Sequence, residues 1–540
     1  MSENQKRLPD KSGFIKQASI LTAAGLLSRF LGFLYRLPLT KLIGDEGNSI
    51  YAAGYNIYNF LLILSSAGIP VAVSKMVSER LEKKEYVNAH QVFKASLIFT
   101  GALGTIFMVV LLVFAVPIAN SVDSPESVYC LRTLAPTVLI VAIMSCFRGY
   151  FQGMNKMMPT AVSQIVEQIF NAIFSVVLAY VFVKQSVALG AAGGTAGTGI
   201  GAAAGLAMMV FIYKLVEKDL EKRRIYRSYE EFFESKREVL IKLIKIAFPI
   251  IAGTAVFSIT NLIDTKMVLS LLKTAAHFTE EQANVLYGQL SGKYVVLSTL
   301  PVSISTAVAT AAVPNIAAAI VNGEKRLIRK KINLALKVSM VVSIPAAIGM
   351  AVLSSQILQL LFPAYPDGGE LIKLGAASII FLALSQINTG ILQGIGKVKL
   401  PVLSAVVGAI LKIAFNFILI GRPSINVKGA IISTTICYAV ASIMNLYFVI
   451  RETGVRPNLN AGIFRPAIAS AIMGVVCWVS YKGLFAASGR NSVSTIGAIL
   501  ISIAVYAILV VLMRIMNEEE ILTLPKGAKI NRLLKRLRLV

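Results

Sequence analysis

Acidic residues are scarce in this 540-residue chain, which has 27 Asp plus Glu against 53 Lys plus Arg. Charged residues of both signs make up only 15% of the sequence, whereas a soluble protein of this length carries about 25%. Hydrophobic residues make up 56% and occur in runs of about 20 or more. These features exclude a soluble globular protein, whose helices would show polar faces, and predict a polytopic helical membrane protein.

Histidine and cysteine are also rare, with two and four residues. His90 and His277 fall in predicted loops on opposite sides of the membrane, and no acid/base pair or metal-ligand spacing is present. An intramembrane enzyme is therefore excluded, and no cofactor is expected. The cysteines lie in or beside apolar runs and are predicted to be buried free thiols (Cys130, Cys146, Cys437, Cys477).

Hydropathy predicts about fourteen transmembrane helices. Alternate loops are basic, with roughly 37 Lys and Arg on one side and about nine on the other, which places both termini in the cytoplasm. The net charge of +26 is explained by this bias, so no nucleic-acid partner is expected. The predicted spans are residues 14–40, 50–74, 92–116, 130–151, 159–183, 189–213, 245–271, 285–313, 333–361, 370–392, 401–420, 428–450, 464–485 and 494–516.

Two segments of the chain resemble each other. FQGMNKMMPTAVSQIVEQIFNAIFSVV, from Phe151, and LQGIGKVKLPVLSAVVGAILKIAFNFI, from Leu392, share Gln-Gly, a Lys-containing turn, a proline and a later asparagine. Such a pair predicts an internal duplication of six spans, whose halves form a parallel pseudo-two-fold repeat. The predicted parts are an N-lobe (1–213), a cytoplasmic linker (214–244), a C-lobe (245–450), two further helices (451–516) and a basic amphipathic tail (517–540).

The first predicted span contains two arginines in LLSRFLGFLYRLPL. Arg29 and Arg36 are two helical turns apart and share a stripe with Gly25 and Gly32. A central cation costs roughly 2.5–3.5 kcal/mol in a membrane helix, so it normally faces water, a partner or a substrate. Arg36 lies near the outer end, where its side chain can also reach the interface.

Other charges within predicted spans are few. Asp264 can pair with a cation across the bundle, and Glu167 can neutralise Arg29 or Lys293. Arg148 and Lys337 lie near cytoplasmic ends, where they are expected to extend to the interface. More of the charged residues within the predicted spans are basic than acidic, which favours an anionic cargo. The planar guanidinium group of arginine suits phosphate oxygens. The charges assigned to the cavity or to coupling are Lys293, Glu167, Asp264, Lys266 and Lys412.

The motif SRFLGFLYR, Ser28 to Arg36, resembles the signature of the MurJ/MviN-type lipid II flippases. YNIYNFLLILSSAGIPVAVSKMVSE and LPVSISTAVATAAVPNIA are similar to segments of their Gram-positive and SpoVB-like relatives. The predicted topology also resembles this branch of the multidrug/oligosaccharidyl-lipid/polysaccharide (MOP) exporter superfamily.

The resemblance implies a monomeric, alternating-access flippase in the bacterial cytoplasmic membrane, with lipids and cell-wall synthesis proteins as partners. Its cargo would be an undecaprenyl-pyrophosphate-linked sugar, most simply lipid II. Arg29, Arg36 and Lys293 would meet the pyrophosphate, and the last two helices would form a groove for the lipid tail. Some members bind sodium, for which Asp264 and Asn416 would be the ligands here.

Two other functions fit the same architecture. One is a flippase for another lipid-linked glycan, such as a teichoic-acid, capsule or spore-cortex precursor. The other is a MATE-like cation or drug antiporter, in which Asp264 and Glu167 would carry protons or sodium and the arginines would be structural.

Overall fold

The computed structural model describes residues 11–227, 234–321, 325–518 and 520. All regular elements in this part of the chain are helices, so the predicted all-α fold is confirmed. The helices are α1 (Lys11–Ser66), α2 (Ile69–Glu82), α3 (Tyr86–Val113), α4 (Ala115–Ser121), α5 (Ser127–Gly153), α6 (Met158–Phe182), α7 (Val187–Arg227), α8 (Lys236–Thr274), α9 (Glu280–Gly288), α10 (Val295–Val321), α11 (Lys325–Val352), α12 (Ser354–Leu361), α13 (Gly369–Gly394), α14 (Lys399–Ile420), α15 (Lys428–Thr453), α16 (Arg465–Ser488) and α17 (Asn491–Leu512). Short π-helical segments precede α10 and α16.

Eleven stretches of the described residues are long and apolar enough to cross a membrane. One of them, Ala23–Glu82, covers 60 residues and includes residues 23–40 of the first predicted span and the whole of the second, 50–74. A straight α1 would be about 84 Å long, far more than the roughly 30 Å hydrocarbon core. The helix is instead kinked at Gly44, whose φ of 68° and ψ of −171° are not helical. The count of fourteen spans stays a prediction.

The chain forms two compact units, residues 1–270 and 271–540. The first unit ends within α8, 25 residues beyond the predicted start of the C-lobe at residue 245. The predicted lobe limits stay predictions. The N-terminal residues 1–10, residues 228–233 of the predicted linker and residues 521–540 of the predicted tail lie outside the described part of the chain.

The two Gln-Gly segments end their helices with the same backbone turn. After α5, Asn155 has a φ of 56° and the Lys156 N–H donates to the Phe151 carbonyl at 2.9 Å. After α13, Gly396 has a φ of 79° and the Lys397 N–H donates to the Leu392 carbonyl at 2.8 Å. A bond from C″ to C3 across a left-handed residue is the Schellman motif, which satisfies the last carbonyls of a helix.

Paired glycines let each of these helices pack closely on a neighbour. A methyl group at Gly149 would lie 2.9 Å from the Pro70 carbonyl oxygen, and one at Gly153 would lie 2.8 Å from that of Ser74. In the second unit, a methyl group at Gly390 would lie 2.8 Å from the Ala309 carbonyl oxygen.

One at Gly394 would lie 2.9 Å from the Val313 carbonyl oxygen. A small residue every four positions therefore brings α5 onto α2 and α13 onto α10 in the same way. This shared crossing supports the predicted duplication.

Candidate functional site

The two arginines of the first span lie on a narrow stripe of α1. Arg29 is exposed and Arg36 is partly exposed, and a methyl group at Gly25 would have no neighbour within 4 Å. The stripe is bounded at Gly32, where a methyl group would lie 3.6 Å from Gln168 Oε1. The predicted small, cationic face is therefore present, and it is open around Arg29.

The stripe is separate from the apolar surface of the same helix. Leu27, Phe30 and Leu34 are 43%, 52% and 41% exposed. At about 100° per residue they point roughly 100–160° around the helix axis from Arg29. Ala24, Tyr35 and Leu39 are buried and point to the other side. Arg29 thus lies between the packed face of α1 and the face suited to lipid tails.

Arg36 is held by an aromatic ring from beyond the kink. Its guanidinium carbon lies 4.1 Å from the ring centroid of Tyr51 and 5.8 Å from that of Tyr35. In a straight helix Arg36 and Tyr51 would be about 22 Å apart. The kink at Gly44, where the Asn48 amide donates to the Gly44 carbonyl at 2.8 Å, makes this cation–π contact possible.

Tyr51 is fully buried and stacks on Tyr55, with ring centroids 5.9 Å apart. Its position is therefore fixed by packing, and it limits the conformations available to Arg36. Tyr51 was not among the predicted site residues. A tyrosine in YAAGY carries no signal of its partner without the kink angle.

Glu167 has a partner that was not predicted. Its carboxylate accepts from the Arg148 guanidinium at 2.7 Å, and Arg148 Nε donates to the Ser163 hydroxyl at 3.1 Å. The expectation that Arg148 extends to the interface is wrong, because its side chain is only 15% exposed and joins α5 to α6. The predicted partners of Glu167 were Arg29 and Lys293, whereas its observed partner is Arg148.

Lys293 lies in the π-helical segment Gln289–Tyr294 and is 1% exposed. Its ammonium group donates to the Tyr365 carbonyl at 2.7 Å and to the Asp367 carbonyl at 3.0 Å. These bonds fasten the loop before α13 to the start of α10. A contact between Lys293 and a pyrophosphate stays a prediction.

The remaining predicted charges are distributed over both compact units. Asp264 is partly exposed and Lys266 is exposed on α8 in the first unit. Lys412 and Asn416 are one turn apart on α14 in the second unit, and are 7% and 1% exposed. Asp264 and Asn416, the predicted sodium ligands, therefore belong to different units.

Lys337 has a partner that was not predicted, and the expectation for His90 is corrected. Lys337 is 7% exposed and contacts both carboxylate oxygens of Glu520 at 2.8 Å, and its extension to the interface stays a prediction. His90 is not in a loop, because it is buried in α3 with its ring beside Phe93 and Tyr150. The prediction of buried free cysteines is confirmed for all four.

The fold and the buried cations define a class of protein, an all-helical multi-pass membrane transporter. Comparison with known proteins gives the family. The chain belongs to the polysaccharide biosynthesis protein family, whose model matches residues 14–320. The MatE family model matches residues 290–418.

Curated relatives from Bacillus subtilis (strain 168) match over nearly the whole chain. Lipid II flippase MurJ is 28% identical, with 87% of this chain and 89% of the relative covered. Uncharacterized membrane protein YabM is 27% identical, with 96% of each chain covered. Stage V sporulation protein B is 24% identical, with 95% and 98% covered.

Solved structures share the fold. A lipid II flippase MurJ in an inward closed conformation has a TM-score of 0.66 at 17% identity, with 91% of this chain and 97% of that chain covered. A multidrug resistance MATE family transporter of the MOP superfamily, in an inward-facing conformation, also has a TM-score of 0.66, at 15% identity and with 79% and 94% covered. The resemblance to the lipid II flippase branch and the expectation of a transporter, not an enzyme, are confirmed.

Proposed function

We propose that this protein moves an undecaprenyl-pyrophosphate-linked sugar, most simply lipid II, from the inner to the outer leaflet of a bacterial cytoplasmic membrane. The observation that carries the proposal is the position of Arg29. It is exposed within the apolar stretch Ala23–Glu82, yet its direction differs by roughly 100° or more from those of the exposed side chains Leu27, Phe30 and Leu34. A cation in that position is stable when it faces a hydrated cavity or an anionic group.

The pyrophosphate would bind along the stripe of α1. Arg29 and Arg36 are about 10 Å apart along the helix axis, and each presents a planar fork of donors that suits phosphate oxygens. Tyr51 would keep the Arg36 fork oriented before the cargo arrives, which lowers the ordering cost of binding. The apolar side chains at Leu27, Phe30 and Leu34 leave the adjoining surface suited to lipid.

The relatives support this choice of cargo and leave neighbouring choices open to test. Lipid II flippase MurJ, YabM and stage V sporulation protein B are 28%, 27% and 24% identical to this chain. Identities so close do not separate lipid II from another lipid-linked glycan. We propose that both termini are cytoplasmic, since the basic loops lie on one side of the predicted topology, and that the transporter works as a monomer.

Coupling to sodium is a further part of the proposal. Asp264 would supply a carboxylate ligand, an oxygen donor of the kind that hard cations prefer. Lys266 and Lys412 would set the charge that accompanies transport. Replacing sodium with choline during the transport assay should slow flipping if the ion is coupled to the cycle.

The first test is complementation of cells depleted of their own lipid II flippase, with surface labelling of externalised lipid II. Wild type should rescue growth and labelling. Arg29→Ala should abolish both, at unchanged membrane abundance. Arg132→Ala is the control, because Arg132 is another exposed arginine of the first unit and lies on α5, away from the stripe.

Rescue by Arg29→Ala would remove Arg29 from the site. Failure of an abundant, correctly inserted wild type would instead exclude lipid II as the cargo. Efflux of a dye from vesicles, driven by protons or sodium, would then favour the cation antiporter. The match of the MatE family model to residues 290–418 is the reason for testing this alternative.

A further inference from the structure

A groove of 350 Å³ opens between the C-terminal half of α2 and the first turns of α8, both in the first compact unit. Five of its lining residues are basic and three are acidic. Neither the arginine stripe of α1 nor any residue assigned above to transport contributes to it. The groove therefore has no role in the proposed transport mechanism.

The floor of the groove is a buried ion pair. Arg80 is 5% exposed, and its guanidinium donates to the Met76 carbonyl at 2.8 Å and through Nε to Glu234 at 3.1 Å. Glu234 also accepts from the Lys242 ammonium at 2.9 Å. This network ties α2 to the segment before α8 and leaves Glu234 fully engaged.

Two lysines at the rim have no such partner. Lys83 and Lys245 are exposed, and among the described residues neither has a carboxylate within ion-pair distance. Among the described residues Lys75 forms an ion pair with Glu79 alone, at 3.9 Å, and both side chains are more than half exposed, which makes this pair weak. The groove thus has more basic than acidic side chains, and its rim presents a cationic surface.

The other end of the groove is apolar. α2 and α8 run antiparallel from a close contact, in which a methyl group at Gly68 would lie 2.5 Å from the Ala247 carbonyl oxygen. Val71 is one turn from Lys75 on α2, and Phe248 is one turn from Lys245 on α8. They are 53% and 66% exposed, and Ile244 beside them is 43% exposed.

The predicted topology places this groove at the membrane surface. The second span ends at residue 74 and the seventh begins at residue 245, both on the cytoplasmic side. Lys75 and Lys245 then lie at the depth of lipid headgroups, and Val71 and Phe248 lie one turn deeper, among acyl chains. A ligand that matches the groove is anionic at one end and apolar at the other.

We propose that the groove binds an anionic glycerophospholipid of the cytoplasmic leaflet. Its phosphate is held between Lys75 and Lys245, and its acyl chain lies one turn away against Val71, Ile244 and Phe248. The bound lipid bridges α2 and α8 and so stabilises the first unit. The site is independent of the proposed cargo.

The test uses the purified full-length protein in a neutral detergent, titrated with phosphatidylglycerol or phosphatidylcholine. Binding is followed by native mass spectrometry and by the Tm. Phosphatidylglycerol should bind and raise the Tm of wild type, and phosphatidylcholine should not. Lys75→Gln/Lys245→Gln should weaken phosphatidylglycerol binding roughly tenfold or more.

The matched control is Lys325→Gln/Arg326→Gln, which removes the same charge from exposed positions of α11 in the second unit. It should bind phosphatidylglycerol as wild type does. Equal binding by the groove variant and the control would overturn the site, because it would show adsorption by general charge.

Two further arms test the nature of the ligand. Inorganic phosphate should give no shift in the Tm, and Phe248→Ser should weaken lipid binding while leaving the Tm without lipid near that of wild type. A full Tm shift with inorganic phosphate would overturn a lipid occupant. A photoactivatable phosphatidylglycerol should crosslink to peptides of α2 and α8, and labelling elsewhere alone would overturn the assignment.

Discussion

The corner after α5 and the corner after α13 share their backbone and differ in the charges beside them. Both have the same left-handed turn and the same pair of glycines against a neighbouring helix. In the first unit, Arg148 immediately precedes the first glycine of the pair, Gly149, and its side chain pairs with Glu167. At the matching position of the second unit stands Thr389, whose hydroxyl accepts from the Asn445 amide at 3.3 Å.

The difference separates two kinds of constraint. Close helix packing requires small residues in both halves, because backbone carbonyls lie where a side chain would go. The polar pair beside the corner is not required by the packing, and one half has an ion pair where the other has a neutral hydrogen bond. The arginine stripe of α1 likewise belongs to the first unit, so the halves share a scaffold and differ in chemistry.

The largest effect on stability is expected from the shared element. Gly149→Ala and Gly390→Ala should each destabilise the fold by about 1–3 kcal/mol, because a methyl group cannot be accommodated without separating the helices. Denaturant unfolding in bicelles measures this loss. Gly101→Ala and Gly349→Ala are the controls, since a methyl group at either meets nothing within 4 Å.

The controls should be neutral or slightly stabilising, because alanine favours helix over glycine. If one corner tolerated alanine and the other did not, the two crossings would not be equivalent and the comparison would fail.

A smaller difference is expected from the diverged pair. Arg148→Met should cost about 1–2 kcal/mol, because it leaves the Glu167 carboxylate without this cation, although the 20% exposure of that side chain moderates the loss. Thr389→Val should cost about 0.5–1.5 kcal/mol, the usual worth of a neutral hydrogen bond.

The double variant Arg148→Met/Glu167→Gln should recover part of the loss, and the same bicelle unfolding assay measures it. Equal costs for Arg148→Met and Thr389→Val would show that the ion pair contributes no more than its neutral counterpart.

The smallest effect concerns two ion pairs, Arg80–Glu234 in the first unit and Lys337–Glu520 in the second, each of which joins distant segments. Burial by itself raises the pKa of Glu234, but donation from Arg80 and Lys242 outweighs it and holds the pKa below its ordinary value near 4.5. A depressed folded-state pKa means that the ionised side chain contributes stability above pH 4.5.

That contribution is lost as the pH falls through the folded pKa. Thermal unfolding from pH 7 to pH 3 should therefore show a steeper acid limb for wild type than for Glu234→Gln. Glu126→Gln, a change at an exposed carboxyl, should retain the wild-type limb. An acid limb as steep for Glu234→Gln as for wild type would show that the Arg80–Glu234 pair does not couple folding to pH.

Much of the fold was predictable because it follows from the solvent. Runs of about 20 apolar residues, basic loops and repeated Gln-Gly turns act locally, and the observed helices follow the predicted spans closely from α13 to α17. The site was predictable only in part. Seven-residue spacing put Arg29 and Arg36 on one face, whereas the partners of Arg148, Lys337 and Lys293 depend on residues 19 to 183 positions away.

The sequence by itself determined a multi-pass helical protein with a duplicated plan and a cationic stripe in its first span, because each of these follows from composition and period. Only the tertiary structure decided which charges are engaged. The kink at Gly44 brings the ring of Tyr51 against Arg36, and the packing of α5 on α6 places Glu167 within ion-pair distance of Arg148. Such pairings arise from the angles between helices, which the hydrophobic pattern of a membrane span does not specify.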